Sequence, residues 1–280
     1  MLERRAIAIR GVVRGVGFRP FVFNLASKFE LGGFVRNSTS GVKIEVEGES
    51  GRVEAFFADL TNQPPPLARI EAIGWEPAAL RGETAFRIEQ SIAEPAAPVS
   101  ISPDVATCDD CLAELFNPAD RRYRYPFLNC TNCGPRLTIV TGAPYDRHRT
   151  TMATFGMCDD CRREYDDPTN RRFHAQPTAC AVCGPRLIAC AADGSTLDVQ
   201  DPLLWFVQAI REGRIAAMKG LGGYHLVCDA QNPEAVAELR RRKHRDEKPF
   251  AIMVRDLDLA RRLCDISDAE AELLASPRRP

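Results

Sequence analysis

Eight cysteines of the chain fall in four C-x-x-C pairs: Cys108/Cys111, Cys130/Cys133, Cys158/Cys161 and Cys180/Cys183. Each half of the series reads C-x2-C-x18-C-x2-C. Two cysteines separated by two residues present both sulfurs to one ion from a tight turn, and a second pair closes a tetrahedron. That spacing is the signature of a structural zinc site, in which four protein ligands leave no position open for catalysis. The expectation is two zinc ions, one held within each repeat rather than shared between them. Thiolate sites of this kind carry net negative charge. Arg121, Arg122 and Arg136, with their counterparts Arg171, Arg172 and Arg186, stand close enough in sequence to offset it.

A second group of residues suits an anion. Gly11-Val12-Val13-Arg14-Gly15-Val16-Gly17-Phe18-Arg19-Pro20 joins an expected strand to an expected helix. Glycines permit left-handed backbone and close approach, so the N–H groups of such a loop can converge on a phosphate at the helix N-terminus. Arg19 supplies a two-pronged guanidinium for the phosphoryl oxygens. Pro20 is expected at the first helical position, where its missing N–H costs nothing.

The elements that must position these groups can be read from periodicity. Ala6 to Val13 reads as a strand. Phe21, Leu25 and Phe29 recur every four residues on a helix from Pro20. Gly33 to Asn37 and Val42 to Glu47 read as strands around a Ser-Thr-Ser-Gly turn. Val53 to Leu60 reads as a helix, with strands at Arg69 to Trp75 and Ala85 to Glu89. The order β-α-β-β-α-β with one extra strand is the ferredoxin-like split βαβ pattern, an α+β fold. Residues 92–103 are rich in Pro, Ala and Ser and read as a linker. Residues 104–190 form an internal repeat with an offset of 50: Asp109-Asp110, Glu114, Pro118, Arg121-Arg122 and Gly134-Pro135-Arg136-Leu137 all recur. His174 stands where the first repeat has Arg124 and is not needed as a ligand. Residues 198–280 read as the start of an α/β domain: helices Pro202 to Arg211, Ala235 to Arg242 and Leu257 to Leu263, with strands Ile215 to Met218, Tyr224 to Val227 and Phe250 to Val254. Cys190, Cys228 and Cys264 read as small buried hydrophobes.

Composition limits the function classes. The 280 residues hold 37 Lys+Arg against 38 Asp+Glu, a net charge of −1, which excludes a strongly basic nucleic-acid binder. Hydrophobic residues make up 45%, too many for a disordered chain, yet no run reaches the roughly 18–20 residues of a membrane span. The odd count of 11 cysteines and the absence of an apolar leader point to metal-bound thiolates in a reducing cytoplasm rather than disulfides.

The glycine loop, with Phe34-Val35-Arg36-Asn37-Ser38-Thr39-Ser40-Gly41 after it, resembles the acylphosphatases over about residues 1–91. The resemblance implies that residues 14–19 (Arg14, Gly15, Val16, Gly17, Phe18 and Arg19) hold phosphate, with Arg19 on the phosphoryl group. It also implies that Asn37 orients the attacking water. Neither motif contains an Asp, Glu or His base, as suits a reaction in which the substrate assists. The architecture as a whole resembles the HypF carbamoyltransferases of nickel–iron hydrogenase maturation. Lys219-Gly220-Leu221-Gly222-Gly223-Tyr224-His225-Leu226 and Arg241-Arg242-Lys243-His244-Arg245 resemble the start of their YrdC-like domain. Lys219, Lys243 and Arg245 are then implied nucleotide contacts. The family hydrolyses carbamoyl phosphate, forms carbamoyl-adenylate with ATP and Mg, and passes the group to a terminal cysteine of a HypE-type partner. Its later YrdC-like residues and transferase domain are not in this sequence, so the first step is the one expected of the chain itself. The rival readings are a zinc-containing RNA-binding module resting on its paired arginines, and a non-catalytic docking scaffold for HypE.

Overall fold

A computed structural model describes residues 1–38, 41–89, 103–142, 145–220 and 222–279. The chain divides into two units, Met1–Pro185 with Pro277–Arg279, and Arg186–Ser276. About the first two-thirds of the chain therefore fold together, all eight paired cysteines included. The expected linker lies outside the described residues apart from Pro103. Among the described residues no helix is long and apolar enough to cross a membrane.

In the first unit β1 (Leu2–Val12), β2 (Gly32–Ser38), β3 (Gly41–Glu49), β4 (Arg69–Pro77) and β5 (Phe86–Ile88) form one sheet in the order β4-β1-β3-β2-β5. β5 runs parallel to β2 and the other pairs are antiparallel. Strand alternation sends Ile7, Ile9, Val42, Ile44 and Val46 to one face. Helices α1 (Phe18–Lys28) and α2 (Ser50–Asn62) contribute Val22, Leu25, Val53, Phe56 and Leu60 to the same core. This is the ferredoxin-like arrangement with its extra strand.

One local expectation is corrected. Helix α1 opens at Phe18, not Pro20, because Gly17 takes a left-handed φ of 75° and turns the chain one step earlier. Pro20 is tolerated as the third residue, since first-turn N–H groups lack an intrahelical acceptor anyway. The buried stripe shifts with it to Phe18, Val22, Leu25 and Ala26, and Phe21 and Phe29 are only partly covered.

The outer face of the sheet buries a charge. Arg4 is 2% exposed and pairs with Glu45, Glu47 and Glu83 at 2.7–2.8 Å. Glu47 also accepts the backbone N–H groups of Arg81 and Gly82 at 2.8 and 2.7 Å, which ties the segment before β5 to the sheet.

Short helices α3 (Asp109–Phe116) and α4 (Asp159–Asp166) open the two cysteine repeats. The second unit holds α5 (Pro202–Arg211), the hairpin β6 (Ala216–Gly220) and β7 (Gly223–Val227), α6 (Pro233–Lys243), α7 (Leu257–Leu263) and α8 (Asp268–Ala275). Asp201 and Asn232 cap α5 and α6 through their side chains, each followed by a proline, and Ser267 with Glu270 forms a capping box on α8. The expected strand Phe250 to Val254 is not formed. The two-stranded β6–β7 sheet offers it no neighbour, Ile252 and Met253 are exposed, and the Phe250 ring sits under Arg240 instead. Cys190 and Cys264 are exposed and Cys228 is half-buried, against expectation. Cys264 falls just past the end of α7, off any inner helix face.

The carboxylates around Arg4 give the fold an acid dependence. The Glu47 carboxyl lies below its ordinary 4.5, first through the Arg81 N–H, with burial opposing and Arg4 adding to the fall. A lowered carboxylate stabilises the fold above its unfolded pKa, and this contribution is lost as pH falls through the folded value. The urea midpoint should therefore drop between about pH 6 and about pH 3, and less so in Glu47→Gln. Arg4→Met, which strands three carboxylates, should cost about 3–5 kcal/mol in the same measurement at neutral pH.

Candidate active site and paired cysteine centres

The glycine loop follows β1 directly. Val13, Val16 and Phe18 are each 1% exposed and drive their side chains into the core. With these three anchored, Arg14, Gly15, Gly17 and Arg19 are left on the outer side. Gly15 and Gly17 both lie at left-handed φ, 69° and 75°. A Cβ on Gly17 would meet the Thr131 hydroxyl at 2.9 Å, and one on Gly15 would meet the Pro135 ring at 3.3 Å. The loop thus packs against the second cysteine pair of the first repeat. Among the described residues, the N–H groups of Gly15, Val16, Gly17, Phe18 and Arg19 donate to no backbone carbonyl.

Both arginines of the loop lack a carboxylate within ion-pair distance among the described residues. A buried Nη2 of Arg14 has no hydrogen-bond partner there. Burial pushes both guanidinium groups below their ordinary range. For Arg19, Asp146 and Tyr165 act in the opposite sense and Arg14 adds to the fall. Two cations and an array of unused N–H donors on one loop form a site for an anion.

Asn37 reaches the same end of the sheet through register. Ile9 of β1 and Asn37 of β2 both pair with Val42 of β3. Directly opposed residues share a face, so Asn37 lies on the helix-covered side in one row with Ile9. Since β1 and β2 run in the same direction, that row lies at the end where β1 passes into the loop. The Ser38-to-Gly41 turn is described only at its two ends.

The eight cysteines form two separate groups, Cys108, Cys111, Cys130, Cys133 and Cys158, Cys161, Cys180, Cys183, with the four ligand atoms of each within 4.8 Å of one another. Contacts of 3.5 Å for Cys108–Cys130, 3.9 Å for Cys130–Cys133, 3.8 Å for Cys158–Cys180 and 3.6 Å for Cys161–Cys183 bracket the edge of a tetrahedron. A Zn–S bond of about 2.3 Å gives an edge of about 3.8 Å. The thiol sets fit zinc, one ion per repeat. Cys108 and Cys158 stand at the N-cap positions of α3 and α4 without a side-chain cap hydrogen bond, at the helix ends where the dipole favours thiolates. The cysteines are themselves the core of this region, with Tyr125, Leu128, Met152 and Ala179 around them.

The arginines neutralise the opposite centre, not their own. Arg121 donates to Cys161 Sγ at 3.0 Å and Arg122 to the same sulfur at 3.5 Å. In return Arg171 donates to Cys111 Sγ at 3.1 Å. Arg121 and Arg122 also pair with Glu164, while Arg171 and Arg172 pair with Glu114. Burial would raise the Glu164 carboxyl, yet Arg122 and Arg121 pull it down to about 2. Arg136 takes no part; its guanidinium donates to the Val105 carbonyl. The sequence reading missed this crossing, as it missed Asp146, Tyr165 and Gln176 near the loop. Only His174, as a break in the repeat, was signalled.

In the second unit Lys219 lies on β6 over the Tyr224 ring, while Lys243 ends α6 and Arg245 faces the Phe250 ring at 5.6 Å. Arg240 donates to the carbonyls of Arg245, Asp246 and Lys248, which fixes the turn after α6. No hydrogen bond or ring contact joins Lys219 to Lys243 or Arg245 among the described residues.

Comparison with known proteins agrees with this division. Residues 5–88 match the acylphosphatase family, residues 107–140 and 157–190 each match the HypF finger, and residues 208–280 match the family described as Telomere recombination. An acylphosphatase of Moorella thermoacetica is 38% identical over 92 residues, covering 98% of that protein and 32% of this chain. An acylphosphatase domain fused to paired four-cysteine fingers is thus the class that fold and sequence define. Carbamoyltransferase HypF2 of Cupriavidus necator is 52% identical over 279 residues, 99% of this chain and 35% of that one. The crystal structure of full-length HypF in its phosphate- and nucleotide-bound form superposes with a TM-score of 0.88 at 47% identity, over 99% of this chain and 36% of that one. The chain belongs to the HypF carbamoyltransferase family, matching its N-terminal part. It spans about a third of the length of the curated relatives it matches.

The crossed arginines make a distinct expectation for metal affinity. Arg171→Ala should weaken zinc at the Cys108 centre about 10-fold and spare the Cys158 centre, and Arg121→Ala should do the reverse. Competition with a chromophoric chelator, combined with single-repeat cysteine variants, resolves the two sites.

Proposed function

We propose that the chain hydrolyses an acyl phosphate, carbamoyl phosphate in its natural setting, on the loop of residues 14–19. The supporting observation is the pair of guanidinium groups, Arg14 and Arg19, with no ion-pair partner among the described residues, beside five backbone N–H groups that donate to no backbone carbonyl there. Arg19 and the loop hold the phosphoryl oxygens, and Asn37 orients water at the end of the same sheet row. The water oxygen attacks phosphorus, and the P–O bond to the carbamoyl oxygen breaks. Carbamate leaves with that electron pair, and the water proton passes to a phosphoryl oxygen. No protein base is required, because the substrate is already activated and charge neutralisation with a positioned water does most of the work.

The two cysteine centres are structural zinc sites in this reading. Residues 1–91 are the hydrolase domain, 92–103 a linker, 104–190 the zinc-binding pair and 198–280 the beginning of a nucleotide-binding domain. In the complete protein Lys219, Lys243 and Arg245 contact ATP, with Mg, as carbamate is adenylated before transfer to a HypE-type partner in the cytoplasm. The match to relatives called carbamoyltransferases supports these later steps. The paired arginines that would support RNA binding are instead engaged by Glu114, Glu164 and sulfur, and Arg241 and Arg242 by Glu238.

The test is phosphate release from carbamoyl and acetyl phosphate by the zinc-loaded chain. Arg19→Ala should lower turnover by about 10²–10³-fold. Asn37→Ala should lose turnover while inorganic phosphate still inhibits. Absence of release above buffer from protein carrying both metals would overturn the proposal.

A further inference from the structure

The two cysteine repeats agree at the cysteines and at the charged residues that contact them or pair beside them, Glu114/Glu164, Arg121/Arg171 and Arg122/Arg172. They differ at many other positions, and three of those differences come together in the second repeat. Leu115, Arg124 and Pro126 of the first repeat become Tyr165, His174 and Gln176 in the second. The backbone is nevertheless the same. Arg124 and His174 both lie at left-handed φ, 57° and 50°, and their N–H groups donate to the equivalent carbonyls of Leu115 and Tyr165. The substitutions therefore change chemistry on a fixed frame.

The changed residues form one array. The Tyr165 and His174 rings stack at 5.0 Å and 11°, and Phe173 packs on His174 at 4.3 Å. Gln176 accepts from the Tyr165 hydroxyl at 2.9 Å and from the Arg147 N–H at 2.7 Å, and its amide donates to the His174 carbonyl at 2.8 Å. The two ring contacts orient the imidazole and the Gln176 amide holds the His174 backbone; the residue is exposed, and its ring nitrogens have no protein partner among the described residues. The array adjoins the loop: Gly17 packs on Thr131, whose N–H and hydroxyl both donate to the Arg171 carbonyl, three residues before His174. Arg19, Asp146, Tyr165 and His174 share one electrostatic neighbourhood. Partial burial, and after it the charge of Arg19, hold the imidazole below its ordinary range, with Asp166 and Asp146 opposing. A neutral imidazole presents one nitrogen as an acceptor.

We infer that His174 forms part of the acyl-phosphate site, accepting a hydrogen bond from the N–H of the acyl group and so selecting carbamoyl over carbon-terminated acyl groups. This rests on the hydrolase reading above. Arg19 and the loop bind the phosphoryl end that all acyl phosphates share, and discrimination must come from a group facing the other end. A hydrogen-bonding site penalises an analogue that lacks the bond, because its own polar group is left unpaired.

The experiment compares kcat/KM for carbamoyl and acetyl phosphate in the unmutated chain, His174→Ala and His174→Gln, with zinc content and inhibition by inorganic phosphate measured alongside. His174→Ala should lower the carbamoyl-to-acetyl ratio about 10-fold. Two metals per chain and phosphate inhibition should be kept, and His174→Gln, which retains an acceptor, should recover part of the ratio. An unchanged ratio, or an equal fall on both substrates, would overturn the inference and leave the hydrolase reading standing. An unmutated chain inactive on both substrates would overturn that reading and this one with it.

Discussion

Thiolate charge is the constraint around which the middle of this chain is organised. Four thiolates on one divalent ion leave net negative charge, which hydrogen bonds and cations held against the sulfurs offset. Here the cations come from the other repeat. Arg121 and Arg122 reach Cys161, Arg171 reaches Cys111, and Glu164 and Glu114 fix the guanidinium planes. Each centre thus takes cations from its twin, and the two repeats are tied together by the same contacts that offset their charge. The buried Arg122, with its Nε on the Ala179 carbonyl at 3.0 Å, joins the two halves through backbone as well.

That rigidity bears on the loop of residues 14–19. A loop that offers its N–H groups to an anion needs them held in place before the ligand arrives. Val13, Val16 and Phe18 do this from inside the ferredoxin-like core. Thr131 and Pro135, next to Cys130 and Cys133, do it from outside. The first repeat thus supports the backbone of the loop, and the second sets different side chains beside Arg19. The two copies keep their cysteines and the paired arginines and glutamates, while Tyr165, His174 and Gln176 of the second stand where the first has Leu115, Arg124 and Pro126.

Much of this was legible in the sequence. Alternation in Val42, Ile44 and Val46, the glycine loop and the two cysteine sets define the sheet and both centres, because each is a local pattern with a known period. What was not legible depended on tertiary contacts. Arg121 and Cys161 are 40 residues apart, and an offset of 50 shows that two units exist without showing that their side chains exchange partners. The start of α1 turned on the φ of one glycine. The apolar run at Phe250 to Val254 has strand-like residues but no neighbouring strand, and a strand is made by its neighbour. Arg4 offered no signal, since an arginine on a sheet face is ordinarily solvated.

The row formed by Ile9, Val42 and Asn37 has a further consequence. In a strand, side chains alternate between faces, so a slip of one residue between β2 and β3 would carry Asn37 through the sheet to the side that bears Arg4 and present Arg36 or Ser38 in its place. The same slip would expel Val35 from the core and drive Arg36 into it, so the apolar packing that holds the sheet together is also what seats Asn37 beside the loop.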